Sequence, residues 1–273
     1  MIISQGFLSN LAGLSNKLIW RLEILKFNLF LKALSLTHRL KSGVRVEIKN
    51  MADWVLFNDI FVDGEYDAPL DLCFKRSGQR CCILDLGSNV GFFSRRALDL
   101  RRRNFPDKFL ELTCVEGMRG SFTRLRNEFP ILKRNERARF YHGLVGKKHG
   151  AARLKGHVFH AMTSLIQDEK RGGELIPFVD LSSVTRGWKC VDLLKCDIEG
   201  SEQLFIENYQ DVLRRTNLAV FEFHLHRVDL RRCFSMLSAC GLFPVSTLNC
   251  AKEVRLELFS RQSAGPRSGA RKR

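Results

Sequence analysis

Two short runs of ionisable residues in this sequence could carry acid–base chemistry. Lys195, Asp197 and Glu199 alternate at the end of one apolar run, and Glu222 and His224 alternate at the end of another. Alternate residues of an extended chain share a face, so each run can present its polar side chains together. A carboxylate, or an imidazole that titrates near neutrality, can accept the proton of a hydroxyl held beside it. We predict Asp197 as this base or as the group that orients the hydroxyl, with Glu199 second and His224 as the competing candidate.

Other roles are open to the same groups. Either Asp197 or Glu199 could accept backbone N–H groups at the start of the next helix, which is a structural role that needs no substrate. Asp197 with Glu222, His224 and His226 could instead hold a divalent cation. Because nothing in the spacing fixes a ligand geometry, we expect no metal here.

The strongest chemical signal is a glycine loop that follows an apolar strand. The segment Ile83–Phe92 reads ILDLGSNVGF, with the spacing D-x-G-x-N-x-G. Glycine lets a backbone turn tightly and approach a ligand, and ligands of open α/β sheets bind beyond the carboxyl ends of the strands. The spacing is not the G-x-G-x-x-G fingerprint of dinucleotide binding, and a structural turn without a ligand is the alternative. The residues that we predict to bind a cofactor here are Asp85, Gly87, Ser88, Asn89, Gly91 and Phe92.

A second acid lies one strand–helix unit further along the chain. The predicted strand 109–116 ends in Val115-Glu116-Gly117. A carboxylate at this point of a doubly wound sheet can accept hydrogen bonds from both hydroxyls of a ribose. We therefore predict that Glu116 binds the ribose of an adenosyl group, with a merely solvated strand-end acid as the alternative.

The elements that must position these residues alternate between strands and helices. The helix after the glycine loop carries Phe93, Ala97 and Leu100 on one face, as expected for a helix packed on a sheet. This alternation indicates a parallel, Rossmann-like α/β sheet, and two final strands around an Asn-containing turn indicate an antiparallel edge pair. Residues 146–185 are predicted as polar loops with short strand-like pieces. The predicted strands are 44–49, 81–86, 109–116, 139–144, 191–197, 218–225, 243–248 and 253–259.

Taken together, these motifs resemble the FkbM family of methyltransferases over about residues 52–226. The similarity is sharpest at Val191–Glu202, which reads VDLLKCDIEGSE, and it includes the acid-x-His strand end at Glu222 and His224. The other matching segments are Asp53–Phe57, Phe61, Glu65-Tyr66, Asp85–Phe93 and Val115–Gly117.

The resemblance implies a class I methyltransferase sheet, bound S-adenosyl-L-methionine, and methylation of a hydroxyl oxygen. The implied partner is a small-molecule or glycan acceptor, such as a sugar or another natural product. The sequence departs from the family pattern at two places. Ser88 stands where alanine is usual, and Gly117-Met118 replaces a proline-containing continuation.

Two other functions are weighed against this one. The formal net charge of +16 favours a nucleic-acid methyltransferase, or a catalytically degenerate protein that binds partners through basic ends. The strand end Asp197-Ile198-Glu199-Gly200 lacks the [DN]-P-P-[YF] pattern of exocyclic-amine methylation, so a nucleic-acid partner is not expected. The intact glycine loop and its acids oppose a degenerate protein.

The positive charge is concentrated at the ends and divides the chain into three parts. We predict an N-terminal helical extension at 1–43, a methyltransferase domain at 44–260 and a disordered basic tail at 261–273. Residues 14–40 read as helix that packs on the domain or lies on a membrane surface as a basic amphipathic helix. Its uncharged runs are shorter than a membrane span needs.

The cysteines and the start of the chain indicate the compartment. Nine cysteines without a C-x-x-C pair argue against a disulfide framework, and the start lacks the pattern of a signal peptide. We expect a cytoplasmic protein, with peripheral membrane contact through the N-terminal helix as an option. Nothing in the sequence indicates an oligomeric state.

Overall fold

The computed structural model describes residues 22–31, 33–34, 36–155, 164–166 and 173–261. Its strands are β1 Thr37–Arg39, β2 Arg45–Glu47, β3 Arg80–Leu86, β4 Phe109–Glu116, β5 Glu136–His142, β6 Ala151–Lys155, β7 Ser164–Ile166, β8 Glu174–Pro177, β9 Val191–Cys196, β10 Thr216–His224, β11 Leu242–Cys250 and β12 Val254–Arg261. Its helices are α1 22–31, α2 Met51–Phe57, a π-helix Asn58–Val62, α3 Asp67–Arg76, α4 Phe92–Asn104, α5 Arg119–Glu128, α6 Leu181–Val184, α7 Glu202–Asn208, α8 Gln210–Leu213 and α9 Leu230–Ala239.

Seven of these strands form the central sheet, in the order β11-β12-β10-β9-β3-β4-β5. The pairs from β10 to β5 are parallel, whereas β12 runs antiparallel to both β10 and β11. Both β3 and β9 are buried along almost their whole length, because helices cover the two faces of the sheet. The predicted Rossmann-like sheet with an antiparallel C-terminal pair is therefore confirmed.

The register of the parallel strands brings the chemically interesting residues to one edge. Leu86 at the end of β3 lies opposite Val115 of β4 on one side and opposite Cys196 of β9 on the other. The residues that follow these strands are therefore neighbours in space, although they are far apart in sequence. This edge, at the carboxyl ends of the strands, is where an open α/β sheet binds ligands.

The N-terminal region differs from its prediction. The helix predicted to reach Leu40 is interrupted, because β1 pairs antiparallel with β2 across a turn at Gly43, which has φ +85°. This hairpin crosses the predicted domain boundary at residue 44 and buries Val44 and Val46 in the main core. Burial of these two β-branched side chains outweighs the local preference for helix. Residues before 22, including the start of the predicted helix, lie outside the described part of the chain.

Helix α1 is only partly covered by the domain. Leu31 is buried, whereas Leu25, Leu29 and Phe30 are exposed, and the Phe27 ring packs edge-on against Trp54. In the described residues, no helix combines the length and the apolar character that a bilayer span requires. Membrane contact through this helix stays a prediction.

Helices α2 and α3, with the π-helix between them, were not predicted. The Asn50 side chain accepts a hydrogen bond from the Asp53 N–H and so begins α2. Asp53 is buried and receives both a bidentate bond from the Arg124 guanidinium of α5 and a bond from the Lys49 N–H. These contacts fix the segment over the edge of the sheet, where it forms one wall of the site.

Two further segments lie beside the central sheet. In the region predicted as polar loops with short strand-like pieces, β6 pairs with both β7 and β8 in a small antiparallel sheet. At the other end, Arg261 belongs to β12, and its guanidinium bonds the Leu213 and Thr216 carbonyl oxygens. Residues 262–273 of the predicted tail lie outside the described residues.

The close approach of β3 and β9 leads to a prediction for Gly87. This residue has φ +72°, and an added Cβ would lie 1.7 Å from the Asp197 carbonyl oxygen. We expect Gly87→Ala to lower the melting temperature strongly, because backbone on both strands would have to move. Gly187→Ala is the matched control, since no atom lies within 4 Å of its added Cβ. Equal melting temperatures for the two variants, measured by circular dichroism, would contradict this contact.

Candidate active site

The glycine loop is held in a tight turn beyond β3. The Gly87 and Ser88 N–H groups both donate to the Val115 carbonyl oxygen, each at 3.0 Å, and thereby fasten the loop to β4. Asn89 adopts a left-handed conformation with φ 48°, which asparagine tolerates better than most residues. Gly91, with φ +85°, is the N-cap residue of α4, and a Cβ there would lie 2.5 Å from a Leu125 methyl group. Gly91 is therefore required by packing.

A buried ammonium group joins the loop to β9. The Lys195 Nζ donates to the Gly87 carbonyl oxygen at 2.7 Å and lies 3.3 Å from Asp197 Oδ2 and 3.7 Å from Asp85 Oδ1. Burial alone would lower the Lys195 pKa, but Asp197 and Asp85 raise it above its usual range. Lys195 therefore stays protonated and holds the ends of β3 and β9 together.

On one side of this junction lies a cleft, which we call the first cleft. Glu116 is buried there, and its two carboxylate oxygens accept the N–H groups of Asn89 and Met118, each at 2.7 Å. Burial raises the pKa of Glu116 to about 7, although both hydrogen bonds oppose the shift. The lining combines glycines, apolar side chains and polar or acidic side chains. Its members are Gly87, Asn89, Val115, Glu116, Gly117, Met118, Ser121, Gly143, Leu144, Val145, Leu154, Asp197, Ile198, Glu199 and Ser201.

On the other side lies a cavity of about 500 Å³, which we call the second cavity. Its walls come from the α2–α3 segment, the glycine loop, the end of β10 and the β11–β12 hairpin. Asp197 and Glu199 line both spaces, as do Gly87 and Asn89. A reacting atom placed between the two ligand spaces would therefore lie beside the Asp197 carboxylate, whose side chain is partly exposed there.

His224 is clamped between two carboxylates at the end of β10. Its Nδ1 lies 3.1 Å from Glu202 Oε1, and its Nε2 lies 3.1 Å from Glu199 Oε2. Glu202 is fully buried and is itself fixed by the Gly200 N–H at 2.9 Å. Burial opposes protonation of the imidazole, but the two carboxylates raise the pKa of His224 to about 11. At neutral pH the ring is an imidazolium ion and has no free electron pair with which to accept a proton.

Glu222, two residues before this histidine, faces the second cavity. Repulsion from Asp197, reinforced by burial, raises the pKa of Glu222 to about 8. Asp197, Glu199 and His224 each offer one ligand atom within 4.8 Å of the others, so this group could in principle hold a metal ion. The imidazole nitrogen concerned is bonded to Glu199, and a cation would have to displace its proton first.

The structure brings most of the predicted site residues to one edge of the sheet. Gly87, Ser88, Asn89, Phe92, Glu116, Asp197, Glu199 and His224 line the first cleft or the second cavity. Asp85 and Gly91 line neither. Asp85 is fully buried behind the loop, where its Oδ2 accepts a bond from the Ser94 hydroxyl at 2.7 Å. Its position supports the loop through Ser94 and Lys195.

Sequence reasoning missed several lining residues. In the first cleft, Leu144 and Val145 follow β5 and carry no polar signal. The second cavity is lined by Asp59 and Glu65 from one part of the chain and by Asn249 from a distant part. Glu65 lay within a segment that resembles the FkbM pattern, and this was the only signal for its place in the site.

The comparisons with known proteins give distant structural similarity. Neither a family model nor a curated protein sequence matches the chain. The FkbM methyltransferase structure from Methylobacillus flagellatus KT matches with a TM-score of 0.48 and 15% identity, over 67% of this chain and 44% of that one. This chain thus spans less than half the length of that protein. A structure of the family that the motifs resemble is therefore among the matches.

Two other matches are structures that contain the cofactor or its product. Aeropyrum pernix fibrillarin, with natively bound S-adenosyl-L-methionine, has a TM-score of 0.39 and 12% identity, over 82% of this chain and 92% of that one. M. capricolum TrmK, in complex with S-adenosyl-homocysteine, has a TM-score of 0.37 and 7% identity, over 71% and 67%. These values are too low to transfer a substrate or a residue role to this chain.

The clamp on His224 leads to a prediction for its titration. We expect the His224 ring to stay protonated from about pH 6 to about pH 9 in NMR spectra, and Glu199→Gln to lower its pKa. The pKa of His224 is about 11 in the folded protein and 6.5 ordinarily, so the clamp gives its full stabilisation below pH 6.5. This stabilisation is lost as the pH rises towards 11. The difference in unfolding free energy between wild type and His224→Gln should therefore shrink as pH rises. A neutral ring at pH 7 would contradict the clamp.

Proposed function

We propose that this protein is an S-adenosyl-L-methionine-dependent methyltransferase that methylates a hydroxyl oxygen of a sugar or another small natural product. The observation that carries the proposal is the meeting of the first cleft and the second cavity at Asp197. One space suits an adenosyl group and the other suits an acceptor, and both open at the carboxyl edge of one parallel sheet. The resemblance to the FkbM family supports the same function.

The chemistry of the residues that line the first cleft supports cofactor binding there. Its apolar residues Leu144, Val145 and Met118 can pack against the faces of an adenine ring. The ionised Glu116 carboxylate has further lone pairs with which to accept bonds from two ribose hydroxyls. The backbone at Gly87 and Gly117 leaves room for close approach. When bound, S-adenosyl-L-methionine would supply a methyl group activated by its sulfonium.

The acceptor hydroxyl has to lose a proton when its oxygen bonds to that methyl group. In this proposal the proton is accepted by the carboxylate of Asp197, which lies at the junction of the first cleft and the second cavity. Lys195 fixes one of its oxygens at 3.3 Å and so leaves the other for the acceptor. His224 fits this role less well, since its imidazole is protonated by the clamp. In this proposal His224 and Glu199 position the strand ends.

The alternative functions are less well supported. The second cavity is lined by several acidic side chains, among them Asp59, Glu65 and Asp197, and this lining is unfavourable for the phosphates of a nucleic acid. This local charge opposes a nucleic-acid methyltransferase despite the overall net charge of +16. A degenerate protein that only binds partners would have no need of two adjoining ligand spaces with a carboxylate between them.

The assignment of Glu116 to the ribose predicts a pH-dependent affinity. Glu116→Gln should raise the Kd for S-adenosylhomocysteine about tenfold or more, because charge-assisted hydrogen bonds are lost. In the wild type, affinity should weaken as pH falls through about 7, where Glu116 gains a proton, whereas the Gln variant should show little dependence. Calorimetric titration at roughly pH 6 and pH 8 measures both effects. As a control, Asp71→Asn on α3 should bind like wild type; equal Kd values for all three proteins would contradict the assignment.

The assignment of Asp197 to the acceptor predicts a loss of turnover. Asp197→Asn keeps the shape of the side chain but removes nearly all of its basicity, so kcat should fall at least about 10²-fold. Cofactor affinity should fall much less, because Glu116 and the glycine loop remain. Steady-state kinetics on the true acceptor, with calorimetry for the cofactor, separate the two effects. Near-normal turnover in Asp197→Asn, together with lost turnover in His224→Asn, would move the base to His224.

A further inference from the structure

The second cavity is acidic in a protein that is strongly basic overall. Besides Asp197, Glu199 and Glu253, its lining includes the carboxyl groups of Asp59, Glu65 and Glu222. They come from the π-helix, the loop before α3 and strand β10, so three separate elements direct acids to one space. The net charge of the chain is +16, and a cavity with this lining is therefore not a consequence of composition.

The cationic side chains of the cavity are already bound to other groups. Lys195 contacts the Gly87 carbonyl oxygen, Asp197 and Asp85. The Arg227 guanidinium donates to the Glu199 carbonyl oxygen at 3.0 Å and to the His226 ring at 2.9 Å. Their hydrogen-bond partners are thus groups other than Asp59, Glu65 and Glu222, and the Lys195 charge reaches Glu65 and Glu222 only at longer range.

The three additional carboxylates have no such partner. Within the described part of the chain, no lysine or arginine forms an ion pair with Asp59, Glu65 or Glu222. Glu65 accepts one bond from the neutral Asn249 amide at 2.8 Å, and Glu222 Oε1 lies 4.0 Å from His224 Nε2. The histidine charge is already shared between Glu199 and Glu202.

These acids also repel one another. Burial raises the pKa of Glu65, and the charges of Asp59 and Asp197 raise it further. Burial likewise raises the pKa of Asp59. With a pKa of about 8, Glu222 is largely protonated at neutral pH, and a bound cation would favour the ionised forms of these acids. The amino and carboxylate groups at the methionyl end of the cofactor cancel in net charge, and its one remaining positive charge is the sulfonium that faces the reacting oxygen.

We propose that the acceptor carries a protonated amine beside the hydroxyl that is methylated, and that Asp59, Glu65 and Glu222 bind this amine. This inference rests on the proposed methyltransferase function and names the acceptor class. A cavity of about 500 Å³ holds a small organic molecule. Apolar side chains of Val55, Leu56 and Leu256 line the same cavity and suit the carbon skeleton of such a molecule. An amino sugar or an amino alcohol has the required groups.

The test compares matched pairs of probes that differ in one amino group. Glucosamine with glucose, and 2-amino-1,3-propanediol with glycerol, are titrated into the full chain saturated with S-adenosylhomocysteine, and Kd is measured by ligand-observed NMR. We expect each amine to bind at least about tenfold more tightly than its neutral partner, and the advantage to shrink with added salt.

Three variants localise the effect. Glu65→Gln and Glu222→Gln keep the shape of each side chain and should each remove most of the amine advantage, while S-adenosylhomocysteine affinity stays within about twofold. Asp71→Asn changes a partly exposed acid of α3 that pairs with Lys75 and does not line the cavity, so it should bind all probes like wild type. Circular dichroism confirms that each variant is folded.

The outcomes separate this inference from the proposed function. If the amines and their neutral partners bind with equal affinity in both pairs while S-adenosylhomocysteine is bound, the inference of an amine-bearing acceptor is overturned. The proposed methyltransferase function is not affected by that result. Binding of Mg²⁺ or Mn²⁺ alone that is lost in Glu65→Gln and Glu222→Gln would overturn it by assigning the acids to a metal. No binding of S-adenosylhomocysteine by the wild type would overturn the proposed function itself.

Discussion

The first cleft and the second cavity both depend on the contacts of the buried Lys195 ammonium group. Removing a cation from water costs several kcal/mol unless partners surround it, so the carbonyl of Gly87 and the carboxylates of Asp85 and Asp197 must stay where they are. The same contact sets the turn of the glycine loop and the position of Asp197. A change at any of these groups is therefore felt in the first cleft and in the second cavity together.

Away from this contact, the two ligand spaces are built from different parts of the chain. The first cleft uses the ends of β3, β4 and β5, which the parallel sheet holds rigidly. The second cavity adds the α2–α3 segment and the β11–β12 hairpin, which lie over that edge. The acidic lining in a basic chain shows that local charge, and not net charge, describes the environment of a ligand.

How far the sequence predicts this structure depends on which forces decide each element. Both ends of β3, β4 and β9 were predicted to within one residue, because the apolar runs of these strands are buried on both faces. The α2–α3 segment was missed, since its short helices depend on the contact between Asp53 and Arg124, which no local pattern records. The pairing of His224 with Glu202 was likewise hidden, because it depends on how side chains turn after the strands end.

The bond between the Asn249 amide and Glu65 joins residues that are 184 positions apart. During synthesis, every residue that lines the first cleft has left the ribosome before the β11–β12 hairpin exists. The residues that line the first cleft are therefore all synthesised before the last wall of the second cavity. A chain released before Asn249 would lack that wall and would leave β10 with an unpaired edge open to other strands.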